Sequence, residues 1–247
     1  MLVIPSRLGR IPLQKPMVKL LSVADVITLL NAVLGFLSLL MAFSGQLQLA
    51  ASLIFLGLLA DGLDGIVARR LGNGRIGEYL EPMADLVSLS VAPLVLFYMV
   101  YDDVLTSQLP LHVLVGGVLV FSLLCSIIRL SSFSLLKEKS FFIGLPASAS
   151  ALFLVGIVFL KPTIWYVLPV IIFFSVVMIS SIRFPKPGLR INLITAAFII
   201  TTIVLDGNYD SLAPLLLLGA LAVYIFFGPV YLHVQKDKIT GTAKTRK

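Results

Sequence analysis

Four acidic side chains stand where an apolar sequence has least room for them. Asp61 and Asp64 are three residues apart and Glu81 and Asp85 four apart, each pair in or at the edge of an apolar run. Those spacings put both members of a pair on one face of a helix. One acid at the centre of a membrane helix costs about 2.5–3.5 kcal/mol on insertion scales, so four together point to a function. Carboxylates on adjoining helices repel unless cations lie between them, and hard oxygen donors suit Mg²⁺, Mn²⁺ or Ca²⁺. The expected object is a two-metal site, which stabilises the attacking and leaving oxygens of an in-line phosphoryl displacement. Gly65 and Ala68 continue the Asp61–Asp64 face and leave room for a ligand to approach the backbone. Arg69 closes that face with a fixed charge suited to phosphate.

The elements that carry these acids must be membrane helices. The 247 residues are 59% apolar and only 13% charged, with a mean hydropathy of +1.06. A soluble domain carries about 25% charge, so a soluble enzyme and a disordered chain are both excluded. Apolar runs between charged or Pro/Gly-rich breaks predict eight helices, at about 25–43, 49–69, 80–101, 110–130, 142–160, 163–182, 191–205 and 211–233. The second and third are antiparallel neighbours joined by the short stretch 71–77, which lets the two acidic faces meet. With eight spans, every Lys and Arg except Lys161 falls on one side of the membrane, and Asp102, Asp103, Asp206 and Asp210 fall on the other. The positive-inside rule then places both termini in the cytoplasm. Arg69 lies near that interface, and Asp61 about 12 Å deeper at 1.5 Å per residue.

The net charge of +7 is scattered over helix ends, which suits snorkelling and anionic headgroups and argues against nucleic acid as a partner. Residues 1–22 alternate basic and apolar positions around Pro5, Pro12 and Pro16 and read as an interfacial segment. A cleaved signal peptide is the weaker reading, because the apolar stretch is long and carries Thr28 and Asn31. The lone Cys125 excludes a disulfide within the chain and reads as a small core residue. No internal repeat is visible. The chain divides into the interfacial segment 1–22, a six-helix core 23–187, a further hairpin 188–233 and a basic tail 234–247.

Written out, the acidic segment is Asp61-x2-Asp64-Gly65-x2-Ala68-Arg69-x7-Gly77-x3-Glu81-x3-Asp85. This resembles the signature of the CDP-alcohol phosphotransferases, membrane enzymes that exchange the CMP of a CDP-activated lipid or alcohol for another hydroxyl. Glu81 departs from the pattern, which has Asp there; the extra methylene keeps the charge and puts the metal geometry in question. Thr28-Leu-Leu-Asn31-x3-Gly35-Phe36, Ser88-Leu-Ser-Val-Ala-Pro93, Arg129-Leu-x2-Phe133, Phe142-x-Gly144-Leu145-Pro146 and Ser180-Ser-Ile-Arg183-Phe-Pro185 resemble the phosphatidylserine synthase branch, over roughly residues 23–187. Asp25, where many relatives have Asn, and Ser131-Ser132, where Ala-Arg is common, depart from it.

The resemblance implies an all-α polytopic bundle with the six-helix core of that family. It also implies attack of the L-serine hydroxyl on the lipid-bearing phosphorus of a CDP-lipid, with Mg²⁺ or Mn²⁺ as cofactor and a homodimer as the assembly. Asp61, Asp64 and Glu81 would hold the metals, and Asp85, also a metal-ligand candidate, would be the general base. Asp64, Gly65, Ala68, Arg69 and Gly77 would lie against the nucleotide and diphosphate. Thr28 and Asn31, one turn apart, face either the nucleotide and phosphates or a neighbouring helix through hydrogen bonds. Arg129 and Arg183, at the cytoplasmic ends of the fourth and sixth helices, are candidates for the acceptor carboxylate. Glu78 and Asp25 face the interface without a chemical role; His112 and His233 are interfacial, and Trp165 and Tyr166 belong to an aromatic belt. The alternatives are a phosphate-bearing acceptor such as inositol phosphate or glycerol phosphate, disfavoured by the few cations near the acids, and a cation or proton-coupled transporter, disfavoured by the lack of repeats and broken helices.

Overall fold

The computed structural model describes residues 16–71, 76–132, 135, 141–204 and 212–244. Arg75, Phe133, Lys137, Lys139, Asp206, Asp210 and the stretches 1–15 and 245–247 lie outside these, as do the side chains of Arg190, His233 and the C-terminal cations.

Helix α1 (Val23–Phe43) starts on a capping box. The Ser22 side chain accepts from the Asp25 N–H, and the Asp25 carboxylate accepts from the Ser22 N–H at 2.7 Å. This reciprocal pair satisfies two of the free donors of a helix start. It also corrects the placement of Asp25 at the interface: the cap turns the carboxylate back onto the chain, and the residue is buried. At the other end Gly45 takes φ +77° in the tight turn to α2 (Leu47–Leu71). Ala42, Ala50 and Ala51 are fully buried along these helices, and the Ser38 hydroxyl donates to the Ala50 carbonyl at 2.9 Å. Small residues let helices approach closely where lipid supplies no hydrophobic drive between them.

The third span, Gly77–Val100, is not uniform. Helix α3 (Gly77–Asp85) passes into a π-helical turn (Leu86–Val91) and resumes as α4 (Ala92–Val100). In the wide turn the Ala92 N–H reaches back five residues to the Val87 carbonyl. It begins directly after Asp85, and such turns concentrate at functional sites. On α1, Gly35 faces it with bare backbone: a Cβ there would lie 2.5 Å from the Ser88 Cα.

The short α5 (Asp102–Thr106) leads into α6 (Leu109–Ser132), which buries Cys125 as expected. Two three-residue strands, β1 (Phe141–Ile143) and β2 (Arg183–Pro185), pair antiparallel with Phe142 opposite Phe184. Between them lie α7 (Ala147–Leu160), buried along most of its length, and α8 (Ile164–Met178). The helices predicted at 142–160 and 163–182 are therefore shortened at the ends where the chain pairs as a ribbon. Gly144 makes the exit from β1: it has φ +76°, and a Cβ would collide with the Met178 carbonyl oxygen. The chain closes with α9 (Leu189–Val204) and α10 (Leu212–Lys244). Because α10 continues to Lys244, most of the predicted tail 234–247 is helical.

All eight predicted apolar segments contain a helix. Among the described residues five are long and apolar enough to cross a membrane, whereas Ala147–Leu160, Ile164–Met178 and Ile191–Val204 fall short of the roughly 20 residues a span needs. The architecture is all-α and multi-pass, with one small ribbon. At the Tyr101 end of the bundle, the Tyr101 hydroxyl donates to the Pro162 carbonyl at 2.6 Å, and Tyr98 and His112 share a hydrogen bond of 3.2 Å. Trp165 and Tyr166 are exposed, as a belt requires.

Candidate active site

Three elements build the acidic site. Helix α2 carries Asp61 and Asp64 one turn apart, α3 carries Glu81 and Asp85, and α1 lies against both with Thr28 and Asn31. The Thr28 hydroxyl donates to Asp64 Oδ2 at 2.6 Å, and the Asn31 amide donates to Asp85 Oδ1 at 3.0 Å. Thr28 and Asn31 are both buried, so each holds a carboxylate from inside the helix packing. Of the two roles open for them in the sequence, the structure displays the interhelical hydrogen bonds.

The four carboxylates converge. Asp61 lies within electrostatic reach of Asp64 and Glu81 and within hydrogen-bond reach of Asp85. Asp85 feels Asp61, Glu81 and Asp64 in turn, and Asp25 adds its charge to the surroundings of Asp64. No lysine or arginine among the described residues offsets Asp61, Asp64 or Asp85. Close packing makes this possible. Gly57 on α2 abuts Asn31, where a Cβ would lie 2.9 Å from Oδ1. That Oδ1 is buried and has no hydrogen-bond partner, a state that costs about 1–3 kcal/mol unless something else satisfies it.

Carboxylate oxygens are the donors a hard divalent cation takes, and among the described residues no lysine or arginine offsets Asp61, Asp64 or Asp85. The donor set is not drawn into a finished ligand sphere. Among the described residues no three His, Cys, Asp or Glu side chains are grouped as ligands of one ion, and two of the four acids turn an oxygen to Thr28 and Asn31.

Around the acids, Gly65 and Ala68 are half-buried on α2, and Gly77 opens α3. Arg69 is exposed and folds back along α2, its Nη1 3.6 Å from where a Gly65 Cβ would be. The two acceptor candidates lie on other elements than the acids. Arg129 is buried near the end of α6, within electrostatic reach of Tyr224 on α10. Arg183 is not at a helix end, because α8 stops at Met178; it sits exposed in β2, its guanidinium 4.8 Å above the Phe141 ring. Glu78 is exposed, as predicted. Sequence reasoning missed the charge that Asp25 adds near Asp64, although Ser22-x2-Asp25 is a readable capping pattern. It also missed the hydrogen bond of Tyr224 on α10 to the Pro185 carbonyl, for which no spacing rule exists.

The comparisons with known proteins agree with one another. Residues 21–184 match the family model described as CDP-alcohol phosphatidyltransferase. An archaetidylserine synthase of Methanothermobacter thermautotrophicus is 34% identical over 181 residues, covering 70% of this chain and 73% of the relative. A CDP-diacylglycerol–serine O-phosphatidyltransferase of Methanocaldococcus jannaschii is 34% identical over 169 residues, covering 68% and 76%. One of the same description from Mycobacterium leprae is 29% identical over 245 residues, covering 91% and 79%.

Proposed function

The chain belongs to the CDP-alcohol phosphatidyltransferase family, and on that premise we propose that it transfers the phosphatidyl or archaetidyl group of a CDP-lipid to the hydroxyl of L-serine, releasing CMP. The observation that carries this reading is the meeting of Asp61, Asp64, Glu81 and Asp85 between α2 and α3, where no lysine or arginine among the described residues offsets Asp61, Asp64 or Asp85. Asp61, Asp64 and Glu81 would hold divalent cations, Mg²⁺ or Mn²⁺, which when bound neutralise the diphosphate and stabilise charge on the leaving CMP. Glu81 reaches one methylene further than Asp would, which allows it to bind with one or both oxygens.

The serine oxygen forms the new bond to the lipid-bearing phosphorus while the bond from that phosphorus to the CMP oxygen breaks. Asp85 accepts the hydroxyl proton, and Asn31 aims its carboxylate by holding Oδ1. Thr28 does the same for Asp64. Gly65, Ala68 and Gly77 offer bare or nearly bare backbone to the nucleotide, and Arg69 a guanidinium to phosphate. Arg129 would receive the serine carboxylate; Arg183, stacked on Phe141, is the weaker candidate of the two. The bias of Lys and Arg toward one set of loops supports a cytoplasmic location of both termini and of the active site, and family resemblance supports a homodimer.

The test is CMP release by purified protein in detergent with a CDP-lipid and Mg²⁺ or Mn²⁺. Release should require L-serine. Release that ignores serine and responds to inositol phosphate or glycerol phosphate would overturn the acceptor assignment.

A further inference from the structure

Helix α2 turns one face to the acids, and Gly57 stands on that face one turn before Asp61. The place where a side chain would begin there is already taken. A Cβ on Gly57 would lie 2.9 Å from Asn31 Oδ1, closer than side chains pack, whereas the Asn31 carbonyl oxygen and Leu34 Cβ would stand at 3.7 and 3.8 Å, in ordinary contact. The group that a methyl at position 57 would displace is therefore the Asn31 carboxamide.

That carboxamide is the part most ready to yield. Asn31 is wholly buried, so its backbone has no free space to retreat into. Its Oδ1 has no hydrogen-bond partner among the described residues to tether it. The torsion that turns an asparagine amide is soft, so rotation costs little. The amide is planar, however, and a turn that moves Oδ1 swings Nδ2 with it, away from the 3.0 Å hydrogen bond to Asp85 Oδ1. Gly35 differs in kind: a Cβ there would lie 2.5 Å from the Ser88 Cα, where no side chain can rotate aside and only the packing of helices can give. Filling one glycine disturbs the fold; filling the other disturbs a single side chain.

We propose that Gly57 is a positioning residue for Asp85: the space it leaves lets the Asn31 carboxamide lie against α2 and point its amide donor at the carboxylate. The proposal rests on the reading of Asp85 as the base. One amide then links three helices: α2 that makes room for it, α1 that carries it and α3 that receives its hydrogen bond.

The experiment compares Gly57→Ala, Asn31→Ala, the double variant and Asp85→Asn in detergent, with kcat, separate KM values for L-serine and CDP-lipid, and a thermal melt for each. Gly57→Ala should lower kcat about tenfold, the kinetic equivalent of one hydrogen bond to a charged acceptor, with both KM values within about twofold of wild type. Its Tm should be no lower, since alanine suits a helix better than glycine. Asn31→Ala should lower kcat at least as far, and adding Gly57→Ala to it should change little further, because the amide to be displaced is gone. A normal kcat in Gly57→Ala beside a slow Asn31→Ala, or losses that multiply in the double variant, would overturn this inference and leave Asp85 standing as the base. A lowered Tm with both KM values raised in Gly57→Ala would overturn it too, reducing Gly57 to a packing residue. A normal kcat in Asn31→Ala would remove the amide, and Gly57 with it, from the mechanism. Full turnover in Asp85→Asn would overturn the base reading itself.

Discussion

Asp85 lies in the third span and Tyr101 caps its far end, about 24 Å apart at 1.5 Å per residue, and both make hydrogen bonds to other parts of the chain. At the first end, α1 donates to Asp64 and Asp85 at 2.6 and 3.0 Å. At the second, Tyr101 donates to Pro162 at 2.6 Å and Tyr98 meets His112 at 3.2 Å. Length does not tell these apart. The partners do: a carbonyl and an imidazole at one end, and at the other a cluster of carboxylates in which no lysine or arginine among the described residues offsets Asp61, Asp64 or Asp85. Hydrogen bonds fasten membrane helices wherever polar groups meet. A cluster of acids in an apolar span is costly, and that cost is why the acidic end is the proposed site of chemistry.

Substitutions should separate the two ends in order of effect. Asp85→Asn keeps the shape and removes the base, so kcat should fall about 10³-fold, within the range for general-base removal, while CDP-lipid binding measured by calorimetry persists. Full turnover in that variant would remove Asp85 as the base. Thr28→Val and Asn31→Leu each delete a donor to a charged acceptor, worth about 1.5–3 kcal/mol, and should lower kcat about ten- to a hundredfold. If they alter only thermal stability, α1 merely fastens the acidic end, as the tyrosines fasten the other. Gly35→Ala should destabilise by about 1–3 kcal/mol, because the new methyl meets the Ser88 backbone; a thermal melt in detergent checks it. Tyr101→Phe should lower Tm by only about 2–4 °C and leave all kinetic constants unchanged. A kinetic effect there would erase the distinction.

The acidic end was legible in the sequence because its signal is local. Residues three and four apart share a helix face whatever the rest of the chain does, and a charged side chain in an apolar run is conspicuous. The ribbon was not legible: Phe141, Phe142 and Ile143 are all apolar, so no alternation distinguishes a short strand from the start of a helix. That is why Arg183 was expected at a helix end. The π-turn after Asp85 was equally hidden, since one wide turn leaves the hydropathy of Leu86–Val91 as it would be in an α-helix. Asp25 was misplaced for a different reason. Its cap pattern was present, but its charge near a predicted membrane boundary suggested solvent. The junction of Tyr224 with Pro185 depends on tertiary packing between elements far apart in the chain, which no periodicity encodes.

The central claim is that the four acids form one divalent-cation centre. Mn²⁺ titration followed by electron paramagnetic resonance, on detergent-purified wild type and on Asp61→Asn, Asp64→Asn and Glu81→Gln variants, tests it without relying on turnover. The account predicts about two tightly bound ions per chain in the wild type and loss of at least one in each variant. Unchanged Mn²⁺ binding in all three variants would contradict it.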